Sequence, residues 1–423
     1  MHRYESYKPS GAEWLGNVPR HWDVQPLRAV TSLKSDKNRP DLPVLSVYRE
    51  YGVILKDSRD DNHNATSLDT SAYKVVKPGD LVVNKMKAWQ GSMGVSSHEG
   101  IVSPAYITCR TKANRVRPAY LHYLLRSSPL IGVYNSLSYG VRVGQWDMHY
   151  EDFKQIPIPL PPQEEQDRIA DFLDQKAVEI DTAIAKKELL IELLNEQKAI
   201  LINKAVTQGL SADVLQHDSG IAWIGKIPSH WQVKRAKYLF REIDERSASG
   251  EEELLSVSHM TGVTPRSEKT NVYMFMAEDY SGSKLCRPND LVFNIMWAWM
   301  GALGVSDRVG IVSPSYGVYR HLKEGAFNNW YLEHLLRSTL YVAEYNKRST
   351  GLHSSRLRLY SHMFFDMELG FPPREEQEEI ERETKKQVSQ ADAVIKSVRS
   401  EIEKLTELRS SLVASVVTGK IKV

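Results

Sequence analysis

Thirteen histidines and two cysteines are the side chains of this 423-residue sequence best able to hold a metal or move a proton. Their spacing argues against either use. Cys109 and Cys286 are too few for a zinc site of cysteine ligands alone and suggest no disulfide framework. No His-Glu-x-x-His or Cys-x-x-Cys pattern occurs. His21 and His230 recur in Pro-x-His-Trp, where they could act as ligands or bases. With Trp14, Trp22, Trp223 and Trp231 around them they read better as packed turns. His259, His353 and His362 are unmatched and read as exposed rather than catalytic. Gly-x-x-x-x-Gly-Lys-Ser/Thr, the phosphate loop of ATP hydrolysis, is missing, and no glycine-rich loop suggests a dinucleotide site. Pro161-Pro162 and Pro372-Pro373 follow Leu160 and Phe371, so they lack the Asp/Asn-Pro-Pro-aromatic signature of amino-methyltransferases. The expectation is a chain with no catalytic site, no metal site and no cofactor of its own.

What must be positioned is therefore a binding surface, and the sequence shows its scaffold as a duplication. Gly11-Ala-Glu-Trp-Leu-Gly-Asn-Val-Pro-Arg-His-Trp22 returns as Gly220-Ile-Ala-Trp-Ile-Gly-Lys-Ile-Pro-Ser-His-Trp231. The segment LVVNKMKAWQGSMGVS from Leu81 returns from Leu291 as LVFNIMWAWMGALGVS, and Gly100-Ile-Val-Ser-Pro104 returns unchanged from Gly310. Pro161-Pro-Gln-Glu-Glu-Gln166 returns as Pro372-Pro-Arg-Glu-Glu-Gln377. A period of about 210 residues exceeds any solenoid unit of ~20–50 residues, so a whole domain with its connector is copied.

Each copy opens with about 160 residues of strand-rich pattern punctuated by Gly and Pro. A short helix is predicted over Pro118–Ser127 and again over Asn329–Ser338. A long helix follows each Pro-Pro, where proline suits the first helical position and Glu-Glu meets the positive end of the dipole. Glycines at 209 and 419 are suited to end the two helices. The second carries an apolar three-four stripe at Val388, Ala391, Ile395, Val398, Ile402, Leu405, Leu412 and Val416, broken at Arg409. The first matches it with Ala177, Ile180, Ile184, Ile191, Leu194, Leu201 and Ala205, broken at Lys187 and Lys198. A stripe on a helix of ~60–68 Å cannot bury itself. The expected fold is α+β, with domains at 1–160 and 211–371. Long helices at 161–210 and 372–423 pair as an antiparallel coiled coil with pseudo-two-fold symmetry. Each helix packing back on its own domain is the alternative.

The bulk charge of +2 identifies no partner. Residues 1–160 carry 21 Lys and Arg against 15 Asp and Glu, so any nucleic-acid contact must come from local patches. No apolar run approaches the ~18–20 residues of a membrane helix, the N-terminus lacks the apolar stretch of a signal peptide, and a reduced cytoplasmic setting is expected.

The Trp-Leu-Gly-x-Val-Pro-x-His-Trp opening, the tandem layout and the Pro-Pro-x-Glu-Glu-Gln helix start resemble the specificity subunits of type I restriction–modification systems, over essentially the whole chain. The resemblance implies two target recognition domains reading a bipartite, asymmetric double-stranded DNA site. The long helices would be the spacer and the docking surface for two methyltransferase subunits. Two motor–nuclease restriction subunits would complete the complex. S-adenosylmethionine, ATP and magnesium would belong to those partners, and no membrane is involved. A standalone DNA-binding or scaffold protein without enzyme partners is the alternative function.

Under that resemblance, matched segments are scaffold and unmatched polar or basic residues are candidate DNA contacts. In the first half these are Arg49, Lys56, Arg59, Asn62, His63, Lys85, Lys87, Arg142 and Gln145, with Trp146 beside them. In the second they are His259, Arg266, Lys269, Arg348, His353, Arg356 and Arg358. Arg pairs bidentately with guanine, Asn and Gln with adenine, and Lys mostly holds phosphate. Trp89 and Trp299 match between the halves and read as core or groove wall. The expected helix-pairing residues are Ile180, Ile184, Ile191, Leu194 and Leu201 against Val388, Ile395, Val398, Ile402, Leu405 and Leu412.

Overall fold

The computed structural model describes residues 2–59, 66–67, 69–140, 146–211, 213–269, 279–351 and 357–423. The chain forms two compact units, Met1–Glu188 with Val398–Val423, and Leu189–Ser397.

In the first unit a four-stranded antiparallel sheet runs in the order Thr31–Lys34, Ile107–Thr111, Leu81–Val83, Met93–Val95. Leu81, Val82 and Val83 are all buried, because the central strand is covered on both faces. One face packs into the large core with Tyr120, Leu121, Leu124, Leu125, Leu130 and Tyr134. These come from α1 (Pro118–Leu125) and α2 (Ser128–Leu137). The other face meets a small cluster of Leu45, Val47, Val53, Val76, Val82 and Val102 beneath a hairpin, Leu45–Tyr48 with Gly52–Leu55. The prolines at the start of both helices suit positions whose N–H would be unsatisfied anyway. A single turn, α3 (Tyr150–Phe153), leads into the strand Pro157–Leu160. That strand pairs with Asp23–Pro26, closing the domain on itself immediately before α4 (Gln163–Gln208) begins.

The second unit repeats this plan. Its sheet order is Phe240–Glu242, Gly317–His321, Leu291–Phe293, Leu303–Val305, and its hairpin pairs Leu255–Ser258 with Gly262–Pro265. Helices α5 (Asn329–Leu336), α6 (Thr339–Arg348) and the turn α7 (Ser361–Phe365) precede Glu368–Phe371, which pairs with Gln232–Arg235. Then α8 (Arg374–Val417) begins. The short helix expected in each half is present, but a second one, α2 and α6, follows each after two residues.

The two repeated motifs are partners of each other. In the first unit Glu165, in the first turn of α4, accepts from Tyr4 Oη at 2.6 Å and bonds His21 Nε2 at 2.8 Å. In the second, Glu376 in the first turn of α8 bonds His230 Nε2 at 2.6 Å and accepts from Trp231 Nε1 at 3.1 Å. The glutamine that follows ties the helix start to the short helix beside it. Gln166 Nε2 donates to Pro161 O at 2.8 Å while its Oε1 accepts from Arg117 N at 2.7 Å. Gln377 does the same with Pro372 O at 3.0 Å and Asn328 N at 2.9 Å.

Each core is completed by the far end of a long helix. Leu412, Val416 and Val417 of α8 join the core of the first unit, where Tyr120 Oη donates to Pro159 O at 3.0 Å and to Val417 O at 3.3 Å. Ala205 and Val206 of α4 join the second, and Tyr331 Oη donates to Val206 O at 2.9 Å. Gly209 and Gly419 end the helices with φ of +82° and +74°.

Within each unit the two helix segments run antiparallel. In the first, Asp181 pairs with Arg409 at 2.8 Å and Lys187 with Glu401. That register sets the turn of Ile184 beside that of Leu405. Ile180, Val398 and Leu412 are buried there, and Ile184, Ile402 and Leu405 are partly so. In the second unit Lys198 pairs with Asp392, which sets Leu194 near Ile395 and Leu201 near Val388; Ile395 is buried, and Ile191, Leu194, Leu201 and Val388 are partly so. The three cations that interrupt the apolar stripe are thus the ones that reach a carboxylate on the facing segment. Their stems lie along the seam while their charges meet partners at its edge. No described helix is long and apolar enough to cross a membrane.

Candidate nucleic-acid interface

In both units several of the side chains that differ between the halves are mounted on the same frame: the hairpin turn, the 3-10 turn after it, and the 3-10 turn that follows the central strand. In the first unit the hairpin turn is Arg49-Glu50-Tyr51, all exposed. Gly52 closes it with φ +71°. The next turn, Lys56–Ser58, carries Lys56, which bonds Thr66. Arg59 then places its guanidinium 4.7 Å from the Tyr51 ring centroid and 5.9 Å from that of Tyr48. This cation–π arrangement holds a charge and two ring faces together at an exposed edge.

The third mount is Lys85–Gln90. Lys85 pairs with Asp147 at 2.7 Å, and Lys87 is exposed. Trp89 and Trp146 meet edge to face with centroids 5.1 Å apart, so Trp89 is a wall rather than a free stacking surface. Asn62, His63, Arg142 and Gln145 lie outside the described residues.

The second unit carries His259-Met260-Thr261 in the hairpin turn, with Met260 76% exposed. Arg266 opens the turn Arg266–Glu268, and Lys269 follows. Burial, and then the nearby Arg266, push the Lys269 ammonium below its ordinary value. The third mount here presents Trp297, half exposed, where the first unit has Lys87; Trp299 donates to Met296 O at 3.0 Å. Arg348 lies apart from these mounts at the end of α6, 2.6 Å from Glu344 and 4.0 Å from Glu368. Arg358 is held by its backbone to Thr350, at 2.9 and 3.1 Å. His353 and Arg356 lie outside the described residues.

Several residues behind the mounts escaped the comparison of halves because they match. Asn84 Nδ2 donates to Tyr106 Oη at 3.3 Å, and Asn294 Nδ2 to Tyr316 Oη at 2.9 Å. Both asparagines are more than nine-tenths buried. Lys74 donates to Tyr106 O at 2.5 Å, and burial, followed by the nearby Lys37, lowers its proton affinity. The signal for the tyrosines was present in the repeated Ser-Pro-x-Tyr, Ser103 to Tyr106 and Ser313 to Tyr316.

The comparison with known proteins agrees with this layout. The family description Type I restriction modification DNA specificity domain matches residues 28–195. The chain is 25% identical over 240 residues to a putative type I restriction enzyme MjaX specificity subunit of Methanocaldococcus jannaschii, an alignment spanning 52% of each chain. The chain therefore spans about half the length of that relative. It is 24% identical over 380 residues, 84% of each chain, to the MjaVIII specificity subunit of the same organism. Among solved structures, it resembles a chain from work on complex assembly and conformational transition of the type I R-M system. The TM-score is 0.61 at 15% identity, over 96% of this chain and 99% of that one. The HsdS subunit from Thermoanaerobacter tengcongensis gives 0.52 at 17% identity, over 96% and 98%. A duplicated mixed domain, two long helices and this agreement in sequence and fold make the chain similar to the DNA specificity subunits of type I restriction–modification systems, with residues 28–195 matching their DNA specificity domain.

Proposed function

We propose that this chain is the non-catalytic subunit that gives a type I restriction–modification complex its DNA sequence specificity. It reads a bipartite, asymmetric double-stranded target with one domain per half-site. The single observation behind this is that the frame shared by both halves carries different side chains at three equivalent mounts. Two frames with the same side chains would read a symmetric site; Arg49, Glu50, Arg59 and Lys87 against His259, Met260, Lys269 and Trp297 read two different half-sites. Two methyltransferase subunits and two motor–nuclease restriction subunits are its proposed partners. S-adenosylmethionine, ATP and magnesium are placed on those partners.

The test is binding by the chain co-purified with a methyltransferase partner, using the bipartite target that methylome sequencing returns. Preference for that target over random DNA at moderate salt is expected, and equal affinity for both refutes the reading. A second arm removes seven residues from each long helix, shortening them by ~10 Å, or about three base pairs of spacer. An unchanged spacer preference refutes the ruler role.

A further inference from the structure

Arg126 and Arg337 occupy matched positions at the ends of α1 and α5, inside a segment that is nearly identical in both halves. Neither is a candidate contact by the rule of variation. Each reaches back to the hairpin of its own unit. Arg126 Nη2 donates to the carbonyls of Arg49, at 2.8 Å, and Glu50, at 2.5 Å. Arg337 Nη2 donates to the carbonyl of His259. Both guanidiniums are held by the residue one turn earlier, and here the halves diverge. His122 Nε2 lies 2.6 Å from Arg126 Nη1; Glu333 Oε1 accepts from Arg337 Nη1 at 2.8 Å. The other face of each holder bonds the neighbouring edge strand. His122 Nδ1 lies 3.3 Å from both Val95 N and Val95 O, and Glu333 Oε2 accepts from Val305 N at 2.9 Å.

Glycines make this possible. A Cβ on Gly52 would sit 2.9 Å from His122 Cε1, and one on Gly262 would sit 2.5 Å from Glu333 Oε1. The hairpin turn is thus pressed onto a short helix and tied by its carbonyls, which leaves its side chains turned to the variable surface. Arginine suits the task because its donors fan out in a rigid plane, so one group can meet a holder and the carbonyls of a turn together.

We propose that Arg126 and Arg337 are positioning residues, one for each half-site, that set the hairpin turns from which Arg49 and His259 read DNA. This rests on the DNA-reading function above. Each acts through backbone carbonyls, so each serves whatever side chains its turn carries.

The experiment uses the full chain co-purified with its methyltransferase partner. Two readouts are taken for Arg126→Ala, Arg126→Lys, Arg337→Ala and His122→Glu: amide exchange in both hairpins, and methylation of targets mutated in one half-site at a time. Arg126→Ala is expected to speed exchange in the turn after Tyr48 and leave the turn after Ser258 unchanged. It lowers discrimination at one half-site roughly tenfold, the scale of a charge-assisted hydrogen bond, with the other half-site intact. Arg337→Ala gives the mirror result. Arg126→Lys is intermediate, because an ammonium cannot meet the holder and both carbonyls at once. His122→Glu retains discrimination by restoring the holder of the second unit. Unchanged exchange, or equal loss at both half-sites, overturns the proposal even if the variants fold poorly, since exchange elsewhere reports folding. A wild-type complex that methylates no bipartite target would instead overturn the functional reading, and this proposal with it.

Discussion

Asp80 and Asp290 occupy the same place in the two units, yet different strands neutralise them. Lys34, from Thr31–Lys34, meets Asp80 at 2.7 Å; Arg320, from Gly317–His321, meets Asp290 with two nitrogens at 2.7 and 2.8 Å. The carboxylate is fixed by local geometry, since each accepts the backbone N–H three residues before it, from Lys77 at 2.8 Å and Arg287 at 2.9 Å. That turn is needed in both frames, so the aspartate is present in both. The cation needs only to reach it, and two neighbouring strands can. His122 and Glu333 teach the same lesson in reverse, for there the arginine is constant and its holder varies. Duplicated frames keep the group that shapes the backbone and let its counter-group drift.

Removing the carboxylate should separate the units most strongly. Lys34 is almost fully buried and keeps only a longer contact to the exposed Asp36, at 3.6 Å, whereas Arg320 is a quarter exposed and keeps Glu245 at 3.1 Å. Asp80→Ala is expected to cost the first unit about 3–5 kcal/mol. Asp290→Ala should cost the second clearly less. Denaturant titration followed by amide exchange in each sheet checks this, and equal losses would break the comparison.

Alanine at the hairpin glycines is the next probe. Gly52→Ala, at a φ of +71°, must displace the packed imidazole ring of His122, while Gly262→Ala, at +67°, meets the far end of the longer Glu333 side chain. Penalties of ~1–3 kcal/mol are expected, larger for Gly52→Ala, read as the loss of protection in each hairpin.

Acid sharpens the contrast further. Burial chiefly, and then Arg126, lower the His122 pKa to about 4. The folded imidazole therefore stays neutral and can accept from Arg126 while the unfolded one, near 6.5, takes up a proton. The unfolded state binds more protons between these values, so stability falls as pH drops from about 6.5 to about 4. His122→Gln should remove up to ~1.4 kcal/mol per pH unit of that slope from the first unit. A slope unchanged by the substitution would remove His122 from the account.

The smallest effect belongs to the seam edges. Arg409→Ala breaks a half-exposed pair with Asp181 and should change stability by no more than about 1 kcal/mol, as thermal denaturation will show.

The long helices could be read from the sequence because period, proline starts and glycine ends all agree. The matched segments showed that the two halves share a frame, but not that each frame carries a hairpin pressed onto a short helix. The second short helix was harder, since Ser-Pro-Leu-Ile-Gly-Val-Tyr-Asn carries a glycine and little periodicity, and only tertiary burial of Leu130 and Tyr134 stabilises it. The apolar stripe showed that each long helix needs a partner, but not that Val416 and Val417 complete the core containing Trp22 and Tyr120. Arg126 and Arg337 were hidden for a logical reason. A rule that seeks function in difference passes over residues that do the same task twice.

The way the first core is finished bears on how the chain is made. Val398–Val423 leave the ribosome some 210 residues after Glu188. At ~5–20 residues per second, this leaves on the order of 10–40 s in which Trp22, Tyr120 and Leu173 lack the helical apolar residues that complete their core. A nascent first half therefore exposes apolar surface until its core is completed, and slow codons in the second half should lower the yield of native protein more than slow codons in the first.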